Sequence, residues 1–291
     1  MPELPEVETV ARGLRAVLPG RRILEVRLGK TDFIENPAAL EEHLPGKQIR
    51  AVRRYGKFLL LELESGNSDE HARDLALLIH LGMTGRLVTC PPDARIAPHT
   101  HVFLALDDGK ELRYTDIRRF GSMRLLADGA REKALGSLGL DPLEMTEDQF
   151  AAALGSRRAR IKALLLDQHV LRGMGNIYTD ESLWCARIHP MRIGATLKRD
   201  ELHRLYRAVR DVLNEAIRLR GSSVSDYVDS EGRRGEFQLR HRVYQREGKK
   251  CFRCGAMIRR AIVAGRSSHF CPKCQRAPRA RRIRARATSG R

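Results

Sequence analysis

Two Cys-x2-Cys pairs, Cys251/Cys254 and Cys271/Cys274, stand sixteen residues apart near the end of a 291-residue chain. No other feature restricts the fold as much. Each pair turns two sulfurs toward one point, and the intervening segment brings both turns around a single tetrahedral ion. The spacing predicts one Zn2+, structural in role, because four thiolates leave no position for water or substrate. Two disulfides are the alternative. They are disfavoured if the chain is intracellular, where thiols stay reduced. Between the turns, Ile258 to Val263 and His269-Phe270 are short enough to be two hairpin strands. Cys90 and Cys185 are left over and read as small apolar side chains.

The cysteines lie in the most basic part of the chain. Lys and Arg total 54 against 36 Asp and Glu, a formal charge of +18. From Lys249 to Arg291 there are 14 Lys/Arg and no acidic residue, which leaves about +4 for the rest. A nearly balanced body with a basic end is expected to draw in a polyanion, since each neutralised phosphate releases counterions. The competing reading is a solubilising charge run. A third, an acidic membrane surface, lacks an amphipathic anchor helix. No run of 18 apolar residues exists, which excludes a membrane helix, and MPELPEVETV carries three glutamates and no apolar signal core. A cytoplasmic location follows as the expectation. With 42% hydrophobic residues, the chain has enough apolar material for a packed core rather than disorder.

Periodicity organises the remainder. Val7, Val10, Leu14, Val17 and Leu18 share one helical face, with Pro5 early and Gly20 just past the end. Seven short β-rich runs follow: 23–28, 48–55, 58–63, 75–81, 102–106, 112–115 and 123–126, with turn chemistry such as Pro45-Gly46 and Asp108-Gly109 between them. They read as an antiparallel sandwich or barrel. The stretch 65–74 is polar and reads as a loop. Near Leu140 the pattern becomes helical. Thr146 and Gln149 have capping-box spacing and open a helix through Leu154. Further helices are expected over 158–166, 176–185 and 200–219, the last with Leu202, Leu205, Tyr206, Val209, Val212, Leu213, Ala216 and Ile217 on its core face. Gly173-Met174-Gly175 breaks the chain before Asn176, so the helix start there offers backbone amides and a side-chain donor to a phosphate.

The N-terminus carries distinctive chemistry. Methionine before proline is normally removed, which would expose the secondary amine of Pro2. A terminal amine titrates near 8, well below lysine at about 10.4, so more of it is a neutral nucleophile at pH 7. Attack on an aldehyde-level carbon gives a cationic iminium, an electron sink. Glu3 stands beside it for proton transfer.

Six segments in order, MPELPEVETV, YGKFLLLEL, HLGMTG, YTDIRRFG, GMGNIYTDESL and AGRSSHFCPKC, together resemble the Fpg/Nei family, and within it the formamidopyrimidine-DNA glycosylases of bacterial base-excision repair. The resemblance runs from residue 1 to about 275. It implies an α+β multidomain chain: an N-terminal antiparallel β-sandwich with a flanking helix over 1–130, an all-α helix-two-turn-helix domain over 131–220, a lesion-capping loop and linker over 221–248, a C-terminal β-hairpin zinc finger over 249–275, and a basic tail over 276–291. The implied partner is double-stranded DNA containing oxidised bases, bound by a monomer in the cytoplasm of a bacterium, at the nucleoid.

The same resemblance implies roles. Pro2 would attack C1′ of a damaged purine nucleotide, and Glu3 would donate the proton that opens the sugar, with Glu6 as a supporting carboxylate. Lys57 would serve β-elimination and hold phosphate. Arg266, in the loop between the zinc hairpin strands, would serve δ-elimination and grip phosphate. A flipped base leaves a hole in the stack, which Met83, Arg118 and Phe120 would fill. His99, Arg118, Arg157 and Asn176 would contact DNA. Two departures stand out: Gln245 where the family usually has glycine, and seven arginines beyond Cys274, read as a non-specific DNA grip. Two rivals remain, an endonuclease VIII-like enzyme for oxidised pyrimidines and a non-catalytic damaged-DNA binder.

Overall fold

The computed structural model describes residues 2–65, 75–127, 129–224 and 226–278. The polar stretch 66–74 and the arginine-rich residues 279–291 lie outside them. Helix α1 (Leu4–Arg15) precedes eight strands: β1 (Ile23–Leu28), β2 (Lys47–Tyr55), β3 (Phe58–Ser65), β4 (Leu75–His80), β5 (Arg86–Cys90), β6 (Thr100–Leu106), β7 (Glu111–Thr115) and β8 (Ser122–Leu126). They form two antiparallel four-stranded sheets, in the orders β1-β6-β7-β5 and β2-β3-β4-β8. The sandwich reading holds, and the barrel alternative falls.

Strand periodicity explains the layers. In β3, Leu59, Leu61 and Leu63 enter the core between the sheets with Leu77, Ile79, Leu104 and Leu112. The alternate residue Leu60 faces outward and packs with Leu78, Leu126 and Leu135. Leu135 belongs to helix α3 (Ala130–Leu135), which covers that outer face.

Some expectations need correction. The sandwich has an eighth strand, β5, because Arg86–Cys90 pairs along β7 although only Leu87 in it is buried. Helices α2 (Pro37–His43) and α3 were not foreseen, being one or two turns long and each burying a single leucine, Leu40 and Leu135. Helix α1 stops at Arg15, and tight turns then carry Leu18 into the core.

The helical lobe comprises α4 (Glu147–Gly155), α5 (Ile161–Leu166), α6 (Asn176–Cys185) and α7 (Arg199–Arg218). The capping box forms as read: Gln149 N donates to Thr146 Oγ1 and Thr146 N to Gln149 Oε1. Helix α5 starts three residues later than expected, because Arg160 is extended and bridges Ile193. The α7 stripe is the core of this lobe, with Tyr206 only partly buried. Leu4 of α1 joins this core, whereas Val7, Val10 and Leu14 join the sandwich. One helix therefore belongs to both lobes.

The terminal hairpin pairs β9 (Arg259–Val263) with β10 (Arg266–Phe270) across Ala264-Gly265, whose φ angles are 52° and 68°. A two-residue turn with both φ positive matches the twist of a hairpin. Arg266 is consequently the first residue of β10 and not a loop residue. The hairpin is anchored to α6. Lys162 Nζ donates to Asp180 at 2.6 Å and to Ser267 O at 2.7 Å, while Asp180 accepts from His269 N at 2.8 Å.

Candidate active site and nucleic-acid interface

The start of α1 is set against the start of α6. Leu4 N donates to Gly173 O at 2.9 Å, and the Glu3 carboxylate accepts from Ile177 N at 3.1 Å and Tyr178 N at 3.5 Å. The α6 amides expected for a phosphate are thus occupied by Glu3, a favourable use of the positive end of a helix. Gly175 is required by this approach: a Cβ there would lie 2.2 Å from Glu3 Cδ. Gln168 holds the turn from the other side, accepting from Gly173 N and donating to Met174 O.

Pro2 is buried immediately before α1. Glu6, one turn into the helix, accepts from Glu3 N at 2.8 Å, from Ser222 N at 2.7 Å and from the Tyr178 hydroxyl. A cavity of about 460 Å3 opens in front of this arrangement. Glu3, Lys57, His80, Met83, Asn176, Tyr244 and Arg266 are among the residues that line it. The sandwich, the helical lobe and the zinc hairpin all contribute.

Burial dominates the electrostatics. It raises the Glu3 carboxyl above its ordinary value, against the pull of Lys57 and the two α6 amides. Burial and the neighbouring Glu3 push Glu6 up to about 7. Burial lowers the Lys57 ammonium despite the attraction of Glu3 and Glu6, and pushes His80 down to about 4 with help from Lys57. A raised carboxyl, a depressed lysine and a neutral imidazole meeting in one cavity form an acid–base site.

The expected wedge residues stand on two neighbouring turns. Met83 is 37% exposed and Phe120 is 58% exposed, values that rule out core roles. Arg118 lies 4.4 Å above the Phe120 ring. Asp116, wholly buried, builds both turns: it accepts from Thr84 Oγ1 at 2.5 Å, Arg118 N at 3.3 Å, Gly121 N at 2.9 Å and Tyr114 OH at 3.1 Å.

Glu3, Lys57, Met83, Asn176 and Arg266 converge on the cavity, and Asn176 Oδ1 is buried there without a protein partner. Pro2, Glu6, His99, Arg118, Phe120 and Arg157 are not among its lining residues. His99 is exposed at φ 65° and its carbonyl accepts from Asp116 N; Arg157 is exposed beyond the end of α4. Gln245 adopts φ 56°, the left-handed conformation that glycine would take more easily. Asp116, Tyr178 and Gln168 were not singled out from the sequence. Asp116 and Tyr178 lie inside the quoted segments, but nothing in a linear reading assigns a buried Asp or Tyr as an anchor.

The four cysteine sulfurs lie within 4.8 Å of one another. A tetrahedral zinc with sulfurs at about 2.3 Å needs them about 3.8 Å apart, so the set fits Zn2+. Among the described residues no helix is long and apolar enough to cross a membrane.

Comparison with known proteins agrees along the chain. Residues 1–123 match the formamidopyrimidine-DNA glycosylase N-terminal domain, 138–228 the formamidopyrimidine-DNA glycosylase H2TH domain, and 248–277 the zinc finger found in FPG and IleRS. The formamidopyrimidine-DNA glycosylase of Solibacter usitatus is 45% identical over 278 residues, covering 95% of this chain and all of that protein. The one from Heliobacterium modesticaldum is 46% identical over 285 residues, with the same coverage. A point mutant of the Lactococcus lactis FPG in complex with Fapy-dG-containing DNA superposes with a TM-score of 0.85 at 34% identity, over 95% of this chain and all of that one. The Lactococcus lactis Fpg complex with abasic-site DNA gives 0.85 at 34% identity, over 94% of this chain and all of that one. With curated relatives above 40% identity along nearly its whole length, the chain belongs to the formamidopyrimidine-DNA glycosylase family.

Proposed function

We propose that the protein is a bifunctional DNA glycosylase/AP lyase of base-excision repair that removes oxidised purines through the nitrogen of Pro2. The observation that carries this reading is the junction of α1 with α6, where the Glu3 carboxyl, directly after Pro2, is held by the α6 amides and shares a cavity with Lys57.

In this reading the neutral Pro2 nitrogen attacks C1′ of the flipped nucleotide, and the glycosidic bond breaks with its electron pair leaving on the base, which takes up the proton that the nitrogen sheds. Glu3 delivers its proton to the ring oxygen, which opens the sugar and leaves an iminium. The iminium acidifies the C2′ proton, and its loss expels the 3′ phosphate. Lys57, its ammonium destabilised by burial, serves this elimination and holds phosphate. Arg266 grips phosphate and serves the δ-elimination that follows. Met83, Arg118 and Phe120 occupy the vacated stack, with Arg118 bonding the orphaned cytosine. His99, Arg157 and Asn176 hold the DNA backbone. The zinc ion, held by Cys251, Cys254, Cys271 and Cys274, is structural and keeps the hairpin that carries Arg266 folded.

The working units are 1–130, 131–220, 221–248, 249–275 and a basic tail over 276–291. The protein acts as a monomer on damaged duplex DNA at the bacterial nucleoid. Borohydride trapping of a covalent adduct on 8-oxoguanine:C duplex, lost in Pro2→Gly, is the deciding experiment. Absence of any adduct favours a non-catalytic binder. Faster excision from thymine glycol than from 8-oxoguanine favours the endonuclease VIII-like alternative.

A further inference from the structure

Outside the cavity lining lies an ionic cluster with no part in the chemistry above. Arg54, near the end of β2, has a side chain only 5% exposed. Its Nε donates to Glu8 of α1 at 2.8 Å, and its Nη1 donates to Asp141 of the helical lobe at 2.7 Å. The same Nη1 lies 3.4 Å from Gly56 O, in the two-residue turn between β2 and β3 that carries Lys57. The turn in turn packs on the helical lobe. A Cβ on Gly56 would come within 3.1 Å of Arg172 Cβ and 3.3 Å of Gly173 N, and the Arg172 guanidinium lies 3.9 Å from the centre of the Tyr55 ring. Gly173 is the residue whose carbonyl holds Leu4.

One guanidinium therefore meets the helix that follows Pro2 and Glu3, the turn that carries Lys57, and the lobe that carries the glycine turn behind Glu3. A planar fork can address two carboxylates in fixed directions, which a lysine ammonium cannot do. We propose that Arg54 is a positioning residue of the enzyme, fixing the Lys57 ammonium relative to the N-terminal proline by bridging Glu8 and Asp141. The inference rests on the reading that Lys57 takes part in elimination.

The test is single-turnover base release and strand incision on a lesion duplex, alongside binding to a duplex with an uncleavable abasic analogue. Arg54→Lys keeps the charge and loses the fork. It is expected to slow incision at least tenfold while analogue affinity stays within about twofold and zinc content is unchanged. Asp141→Asn, which leaves the Glu8–Arg54 pair intact, is expected to do the same more weakly and serves if Arg54→Lys does not fold. In the double variant Arg54→Lys/Lys57→Met, incision should equal that of Lys57→Met alone. Unchanged incision in both single variants, or a loss of binding that matches the loss of rate, overturns the proposal, as does strict multiplication of the two defects. If Lys57→Met itself incises normally, the reading of Lys57 fails instead, and that result is separate from the Arg54 measurements.

Discussion

The amide of Ser222 donates to the Glu6 carboxylate at 2.7 Å, joining the segment after α7 to the first turn of α1. The same carboxylate receives Glu3 N and the Tyr178 hydroxyl, and the Tyr227 hydroxyl donates to the Glu6 carbonyl at 3.2 Å. Glu6 thus ties the start of α1 to the start of the proposed lesion-capping segment.

The raised Glu6 pKa makes a directional prediction. Its carboxyl titrates near 4.5 when unfolded and near 7 in the fold. Between those values the folded state holds more protons, so this group's contribution to stability falls as pH rises through that window. A full shift corresponds to roughly 3 kcal/mol as an upper bound. Melting curves from pH 4.5 to 8 should therefore show the stability of the wild type falling relative to that of Glu6→Gln, whose side chain does not titrate. Parallel curves would reject the assignment.

Gly175→Ala places a methyl where the Glu3 carboxyl sits. Displacing a reacting group by about 1 Å can cost about 100-fold in rate. Base release is expected to fall by at least that factor with zinc content retained. Wild-type turnover would mean that Glu3 is not held in its working position here.

Phe120 is largely exposed, so Phe120→Ala should change stability by less than about 0.5 kcal/mol. Activity should respond instead. If the ring offsets about 1.4 kcal/mol of the cost of flipping, base release slows about tenfold. Abasic-site incision should suffer less, because no base remains to be extruded. Equal losses on both substrates would argue against a wedge.

Lys162 and Asp180 form a wholly buried ion pair between α5 and α6. Lys162→Met leaves Asp180 charged and partly unpaired, with an expected cost of about 3–5 kcal/mol in denaturant unfolding. The double variant Lys162→Met/Asp180→Leu should recover a good part of that loss. No recovery would show that the bonds from Asp180 to Ser268 and His269 matter more than its charge.

Much of the fold follows from short-range rules. The thiolate spacing dictates a hairpin, the nearly continuous apolar run in 58–63 suits a strand packed on both faces, and the stripe in α7 dictates a buried helix, because each depends only on neighbours in the chain. Two of the misses share one cause. Strand β5 is held by its pairing with β7, and α5 is shortened by Ile193, neither of which is adjacent in sequence.

The site divides in the same way. The terminal proline with its glutamate, the four thiols and the glycine-bracketed turns are written in the order of residues, since their chemistry belongs to residue type and spacing. Tertiary structure alone decides that Glu3 takes the α6 amides from any phosphate, that Glu6 titrates near 7, and that Arg54 sits between two carboxylates 46 and 87 residues away. Burial and ion pairing are sums over neighbours in space, and only the folded chain brings those neighbours together.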